Sequence, residues 1–128
     1  MTETPPDFCP SLRTIAMPAD TNPAGDIFGG WLLAQMDLAG SIPAADKAGG
    51  RVATVGIEAM RFHKPVMVGD EVSCYTSIEK IGNTSITICV VVYARRRHDR
   101  QIIEKVTQGL FTYVALDDQR NKMQIPKE

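Results

Sequence analysis

The apolar and polar positions fall into two regimes along the chain. Between residues 29 and 47, apolar side chains at 31, 32, 33, 36, 38, 39 and 42 cover most of the circumference of a 3.6-residue repeat. This predicts one long helix, enclosed on most sides and close to 30 Å in length at about 1.5 Å per residue. Ala48-Gly49-Gly50 ends it, and Pro43 inside it predicts a bend or local break. After Gly50 the period becomes two. Val72, Cys74, Thr76 and Ile78 alternate with Glu71, Ser73, Tyr75 and Ser77, and Ile86, Ile88, Val90, Val92 and Ala94 alternate with Ser85, Thr87, Cys89, Val91 and Tyr93. Those are half-buried antiparallel strands, joined as a hairpin at Gly82-Asn83 and preceded by a reversal at Gly69-Asp70. Residues 51–63 and 102–116 supply two more strands, and residues 12–17 a first one. Turn chemistry fills residues 18–25, and Asp117-Asp118 closes the last strand. The class is α+β, an antiparallel sheet curled around one helix. One such sheet leaves edges uncovered, and Val91 and Tyr93 on its outer face predict pairing with another copy.

Composition narrows the picture. A chain of 128 residues with 44% hydrophobic content makes one domain. Fourteen basic against fifteen acidic residues, net −1, give no bulk field for nucleic acid or an anionic membrane, so neither is an expected partner. Cys9, Cys74 and Cys89 form no CxxC pair, as in a reduced cytoplasmic protein. Residues 1–7 are polar and proline-bearing, unlike a signal peptide, and no apolar run approaches a membrane span.

One residue breaks the apolar pattern of the helix. Asp37 follows the Gly29-Gly30 pair by seven positions, and desolvating even lesser polar groups costs about 2 to 7 kcal/mol. Such a side chain has a partner or a task. The chain holds no GxSxG elbow, no HExxH or CxxC, and only His63 and His98 as histidines, which excludes the common nucleophile and metal patterns. A carboxylate that activates water remains, paired with an electrophile clamp made of backbone. Gly29 and Gly30 supply a candidate clamp, because bare amides at a helix start carry partial positive charge and glycine permits close approach. Asp37 lies about 12 Å up the same helix axis, out of reach of its own helix start. Two antiparallel helices from two copies bring the pieces together. The alternatives are a carboxylate satisfied by backbone donors or by an arginine across an interface, and glycines that only punctuate a helix start.

The run from Met17 to Asp37 (Met17-Pro18-Ala19-Asp20-Thr21-Asn22-Pro23-Ala24-Gly25-Asp26-Ile27-Phe28-Gly29-Gly30-Trp31-Leu32-Leu33-Ala34-Gln35-Met36-Asp37), with Met60-Arg61-Phe62-His63-Lys64-Pro65-Val66-Met67-Val68-Gly69-Asp70, resembles the hotdog-fold acyl-CoA thioesterases, most closely the small bacterial YciA-type branch. The likeness spans residues 12–126. It implies a hotdog domain over residues 11–128 behind a flexible segment at 1–10, and a dimer assembled threefold into a hexamer. It also implies hydrolysis of acyl-CoA to acid and CoA in the cytoplasm, with no metal and no cofactor beyond the CoA of the substrate. By resemblance the catalytic aspartate is Asp37 and the carbonyl-side amides are those of Gly29 and Gly30. Asn22, Asp26 and Phe28 line the thioester region, Asp26 standing where distant relatives carry asparagine. Arg61, His63 and Lys64 are the candidates for the CoA phosphates, with Arg51 at the start of the same strand. Trp31 and Phe28 pack in the core or line an acyl tunnel. The four arginines of residues 95–100 read as a solvated hairpin tip. Leu38, Arg61 and Pro43 depart from the pattern and concern pocket shape. Asp37 acts as general base or as nucleophile. The same fold serves hydratases, whose acid pairs with a histidine, and a non-catalytic acyl-CoA binder is the third reading. Neither histidine is close to Gly29 in sequence.

Overall fold

The computed structural model describes residues 3–126. Residues 1 and 2 of the segment expected to be flexible, and 127 and 128 of the expected domain, lie outside the described residues. Strand β1 (Leu12–Ile15) leads into a single 3-10 turn at Pro18–Asp20, followed by helix α1 (Gly29–Ala48). Four long strands complete the chain: β2 (Val52–Phe62), β3 (Glu71–Ile81), β4 (Ser85–Arg95) and β5 (Ile103–Ala115). They form one sheet in the order β1-β3-β4-β5-β2, every neighbour antiparallel. The chain order of the long strands is read correctly from the alternation, and the β3–β4 hairpin turns at Gly82 as expected, its N–H bonded to the Ser85 carbonyl.

The core lies between α1 and the inner face of the sheet. On β4 the alternation is strict, with Ile86, Ile88, Val90, Val92 and Ala94 all fully buried. From α1, Leu32, Met36, Ala39, Gly40, Ala44 and Ala48 face them along one stripe. The helix ends on Gly49, whose φ of 76° is the left-handed conformation that lets its N–H reach the Ala45 carbonyl. Pro43 neither breaks the helix nor divides it. Packing of the buried stripe outweighs the one backbone bond that proline cannot make.

The helix is not enclosed by its own chain. Leu38 is 57% exposed and Ile42 is open beside it, while β2, an edge strand, shows Val55 at 60% and Ile57 also exposed. The outer face of the sheet is partly covered by the amino-terminal residues. Glu3 N–H donates to the Ile103 carbonyl at 2.6 Å, and the Phe8 ring meets Tyr75 edge-on, as Tyr75 meets Tyr93. Part of the surface assigned to another copy from Val91 and Tyr93 is thus occupied by residues 3–10.

Candidate active site

The segment before α1 is built to present the helix start. Asn22 Oδ1 accepts the N–H groups of Ala24 and Asp26 at 2.9 and 3.1 Å, and the Asn22 N–H donates to the Asp26 carbonyl, closing a tight loop that delivers Phe28 as the N-cap residue. No side chain caps the helix, and no acid stands in its first turn. Neither Gly29 nor Gly30 has a positive φ. A Cβ at Gly30 would meet nothing within 4 Å, and one at Gly29 would make only ordinary contact with Phe62. Neither the backbone nor the protomer's own packing demands glycine there.

In front of this helix start lies a cleft of about 350 Å³, lined among others by Asn22, Asp26, Phe28, Gly29, His63 and Lys64. The fold therefore gathers six of the residues singled out from sequence, and it brings His63 beside Gly29 in spite of their separation along the chain. Gly30 and Arg61 do not line the cleft. Arg61 is turned away on β2 opposite Gln108, just past a bulge at Ala59, whose φ of 56° is strained for a non-glycine residue. Arg51 stands before the other end of β2, roughly 30 Å off by strand rise, so it cannot serve this cleft in the same protomer. A neighbouring hollow of about 370 Å³ shares His63 and Lys64 and adds Glu3 and Lys105, a cation that sequence reasoning missed.

Asp37 is elsewhere. It does not line the cleft, it is half-buried in the protomer, and among the described residues of one protomer it makes no bond to an arginine or to a backbone donor. Its Oδ1 accepts Thr54 Oγ1 at 2.7 Å and Tyr113 Oη at 3.0 Å. Thr54 and Tyr113 are direct register partners on β2 and β5, which puts both side chains on the same face of the sheet. Burial, together with the charge of Asp37 and the bond to it, pushes the Tyr113 hydroxyl far above the usual phenol range, so it remains a donor. Nothing in the sequence marks this pair, because only the strand register joins them.

The loop after β2 is fixed by a buried ion network. Arg96, read as a solvated tip residue, is 5% exposed. It donates from Nη1 to Asp70 Oδ2 at 2.8 Å and to the Pro65 carbonyl at 2.9 Å, and from Nε to Glu104 Oε2 at 3.0 Å. Asp70, 1% exposed, also accepts the backbone N–H groups of Met67 and Arg97. Glu104 Oε1 reaches Lys64 Nζ at 3.2 Å. Sequence reading gave the arginine run to solvent because charge runs usually face water; here closing the hairpin over the Pro65 loop demands a buried counter-ion. Trp31 packs against the core, whereas Phe28 is exposed at the cleft.

Comparison with known proteins identifies the family. A family model for the Thioesterase superfamily matches residues 24–99. The acyl-CoA thioester hydrolase YciA of Escherichia coli is 48% identical over 119 residues, 91% of this chain and 90% of that protein. The hexameric thioesterase of Yersinia pestis superposes with a TM-score of 0.90 at 47% identity, over 96% of this chain and 99% of that one. A hexameric hotdog fold thioesterase of Campylobacter jejuni gives 0.89 at 43% identity, over 93% and 91%. The five-stranded antiparallel sheet on one long helix is thus a hotdog fold, and the chain belongs to the thioesterase superfamily. Within that family it groups with the YciA-type acyl-CoA thioester hydrolases.

Proposed function

We propose that this protein hydrolyses acyl-CoA thioesters to free carboxylic acid and CoA, with Asp37 of one protomer facing the helix start of another. The match to YciA over nine-tenths of both chains carries the activity. What supports the residue roles is an uncapped pair of glycine amides beside a cleft, and a carboxylate too far up the same helix to serve them. In the base reading, Asp37 takes a proton from water as the oxygen attacks the thioester carbonyl. The resulting oxyanion accepts hydrogen bonds from the Gly29 and Gly30 amides of the partner protomer. Collapse breaks the C–S bond, and the thiolate recovers the proton from Asp37. In the nucleophile reading Asp37 attacks directly and the C–S bond breaks, giving a mixed anhydride and CoA thiolate; water then opens the anhydride to the free acid, restoring the Asp37 carboxylate and supplying the proton that the thiolate takes up.

His63, Lys64 and Lys105 ring the two hollows where the phosphates of CoA fit, and Lys64 is held by Glu104 through a half-exposed pair weak enough to exchange partners. A second copy is favoured by the open apolar strip of Leu38, Ile42, Val55 and Ile57. It is also favoured by a surface of 7410 Å², about a tenth more than the ~6,700 Å² typical of a monomer of this mass. The hexameric relatives support a trimer of dimers. No helix among the described residues is long and apolar enough to cross a membrane. The proposed reaction is a hydrolysis, in which water and the CoA thioester are the only reactants.

One observation keeps a second reading in play: His63 lies in the cleft with Gly29, as an acyl-CoA hydratase would use it. A panel of saturated and 2,3-unsaturated acyl-CoAs separates the two. Free thiol appears with a hydrolase, loss of enoyl absorbance with a hydratase, and neither with a binder. Asp37→Asn, which keeps shape and removes basicity, should lower thiol release at least about 10²-fold with the oligomer intact. Wild-type turnover by that variant overturns the assignment.

A further inference from the structure

We propose that Thr54 and Tyr113 anchor Asp37 by a single carboxylate oxygen, Oδ1, and so make Oδ2 the oxygen offered to the reacting water or thioester. The inference rests on the reading of Asp37 as the catalytic acid. Both side-chain bonds to Asp37 fall on Oδ1, at 2.7 and 3.0 Å, and among the described residues Oδ2 accepts none. The Tyr113 proton is shared between that oxygen and the Asp37 carbonyl at 2.8 Å, which ties the side chain to its own backbone. Turning the carboxyl about its last torsion would break both bonds to Oδ1. The orientation is therefore set before substrate arrives, and fixing a reacting group in advance lowers the entropic part of the barrier.

The surroundings are shaped for this arrangement. Thr54 and Tyr113 stand opposite each other in the β2–β5 register, and a register shift follows Thr54 at once. On α1 the residue facing the tyrosine is Gly40, where a Cβ would run into Tyr113 Oη. Helix interiors disfavour glycine by roughly 1 kcal/mol relative to alanine, so its presence here matches the need to admit the hydroxyl.

Thr54 and Tyr113 are positioning residues. Tyr113→Phe and Thr54→Val should each lower kcat about 10-fold or more with KM within about twofold, and Thr54→Ser should recover most of the loss. A role in folding alone would reduce the amount of folded enzyme but leave kcat per folded site unchanged, and it would not be undone selectively by the hydroxyl of Thr54→Ser. Threonine 54 lies on an edge strand, so its variants test the inference even where Tyr113→Phe folds poorly. Folded variants with unchanged kcat, beside an inactive Asp37→Asn, overturn the anchoring while leaving the function standing. An active Asp37→Asn overturns the reading of Asp37 as the catalytic acid, on which the inference rests.

Discussion

Gly40 carries no functional atom, yet its missing Cβ decides where a hydroxyl can go. The nearest atom that a methyl group at this position would meet is Tyr113 Oη, with ring carbons next at 3.2 Å. Gly40→Ala should therefore displace the tyrosine and cost kcat about as much as Tyr113→Phe. In the Gly40→Ala/Tyr113→Phe double variant the losses should not add, because the closest clash has gone with the hydroxyl and the ring needs to give only a few tenths of an ångström. A double-mutant cycle on kcat checks this, and simple additivity would show that the two residues act apart. At the same scale the cysteines divide by environment. Burial pushes the Cys74 thiol up to about 12, and Cys89 is raised mainly by burial and then by the charge of Glu79, whereas Cys9 is exposed. Alkylation at pH 8 should label Cys9 well before Cys74 by mass spectrometry. Equal rates would mean that the inner face of β3 opens in the native state.

At the scale of elements, the strands were legible and their register was not. Period-two runs located β3 and β4, and the glycine turns joined them, since each signal is local. The Thr54–Tyr113 pair depends on β2 returning to the sheet beside β5, a non-local outcome of closure around α1 that no window of sequence contains. Asp37 itself was legible, because an acid set inside the apolar stretch of residues 31–42 is a local anomaly; its hydroxyl partners, 17 and 76 residues away, were not. Burial of Arg96 was invisible for the same reason. Its guanidinium is drawn down by desolvation but held charged, on balance above its usual range, by bonds to Glu104 and Asp70. The Arg96 bond in turn holds the Glu104 carboxyl below its ordinary range. A carboxyl with a depressed folded pKa adds stability that is fully present above its unfolded pKa, near 4.5, and is lost as pH falls through the folded value. The stability gap between the wild type and Glu104→Gln in denaturant titrations should accordingly be full at pH 7 and shrink below about pH 4.5. Asp70→Ala, which removes one of the two carboxylates on buried Arg96 and the acceptor of the Met67 and Arg97 N–H groups, should cost about 3 to 5 kcal/mol. A cost under about 1 kcal/mol would mean that water replaces the lost carboxylate.

The whole molecule joins these parts only if two chains share each site. Within one chain the Gly29 amides and the Asp37 carboxylate are separated by about 12 Å along a rigid helix, and no bend at Pro43, which comes after both, can close that distance. The open strip of α1 and the unpaired edge of β2 lie on the side where a second helix can run antiparallel, bringing each acid to the other's glycines and giving two equivalent sites by twofold symmetry. Subunit mixing tests this directly. Asp37→Asn lacks the acid and Gly30→Val obstructs the amides, so each oligomer alone should be inactive. If the chains are unfolded together and refolded at equal amounts, half of the dimers are mixed, and in each mixed dimer one of the two sites receives an intact acid from one chain and intact glycines from the other. Activity should return to about a quarter of wild type, the statistical ceiling for random pairing across a twofold axis. Sites contained within a single chain would give no recovery at any mixing ratio. The same mixture prepared with Leu38→Glu in both chains, which places like charges on the proposed contact, should lose both the recovery and the self-association seen by sedimentation while keeping the circular dichroism of the folded protomer.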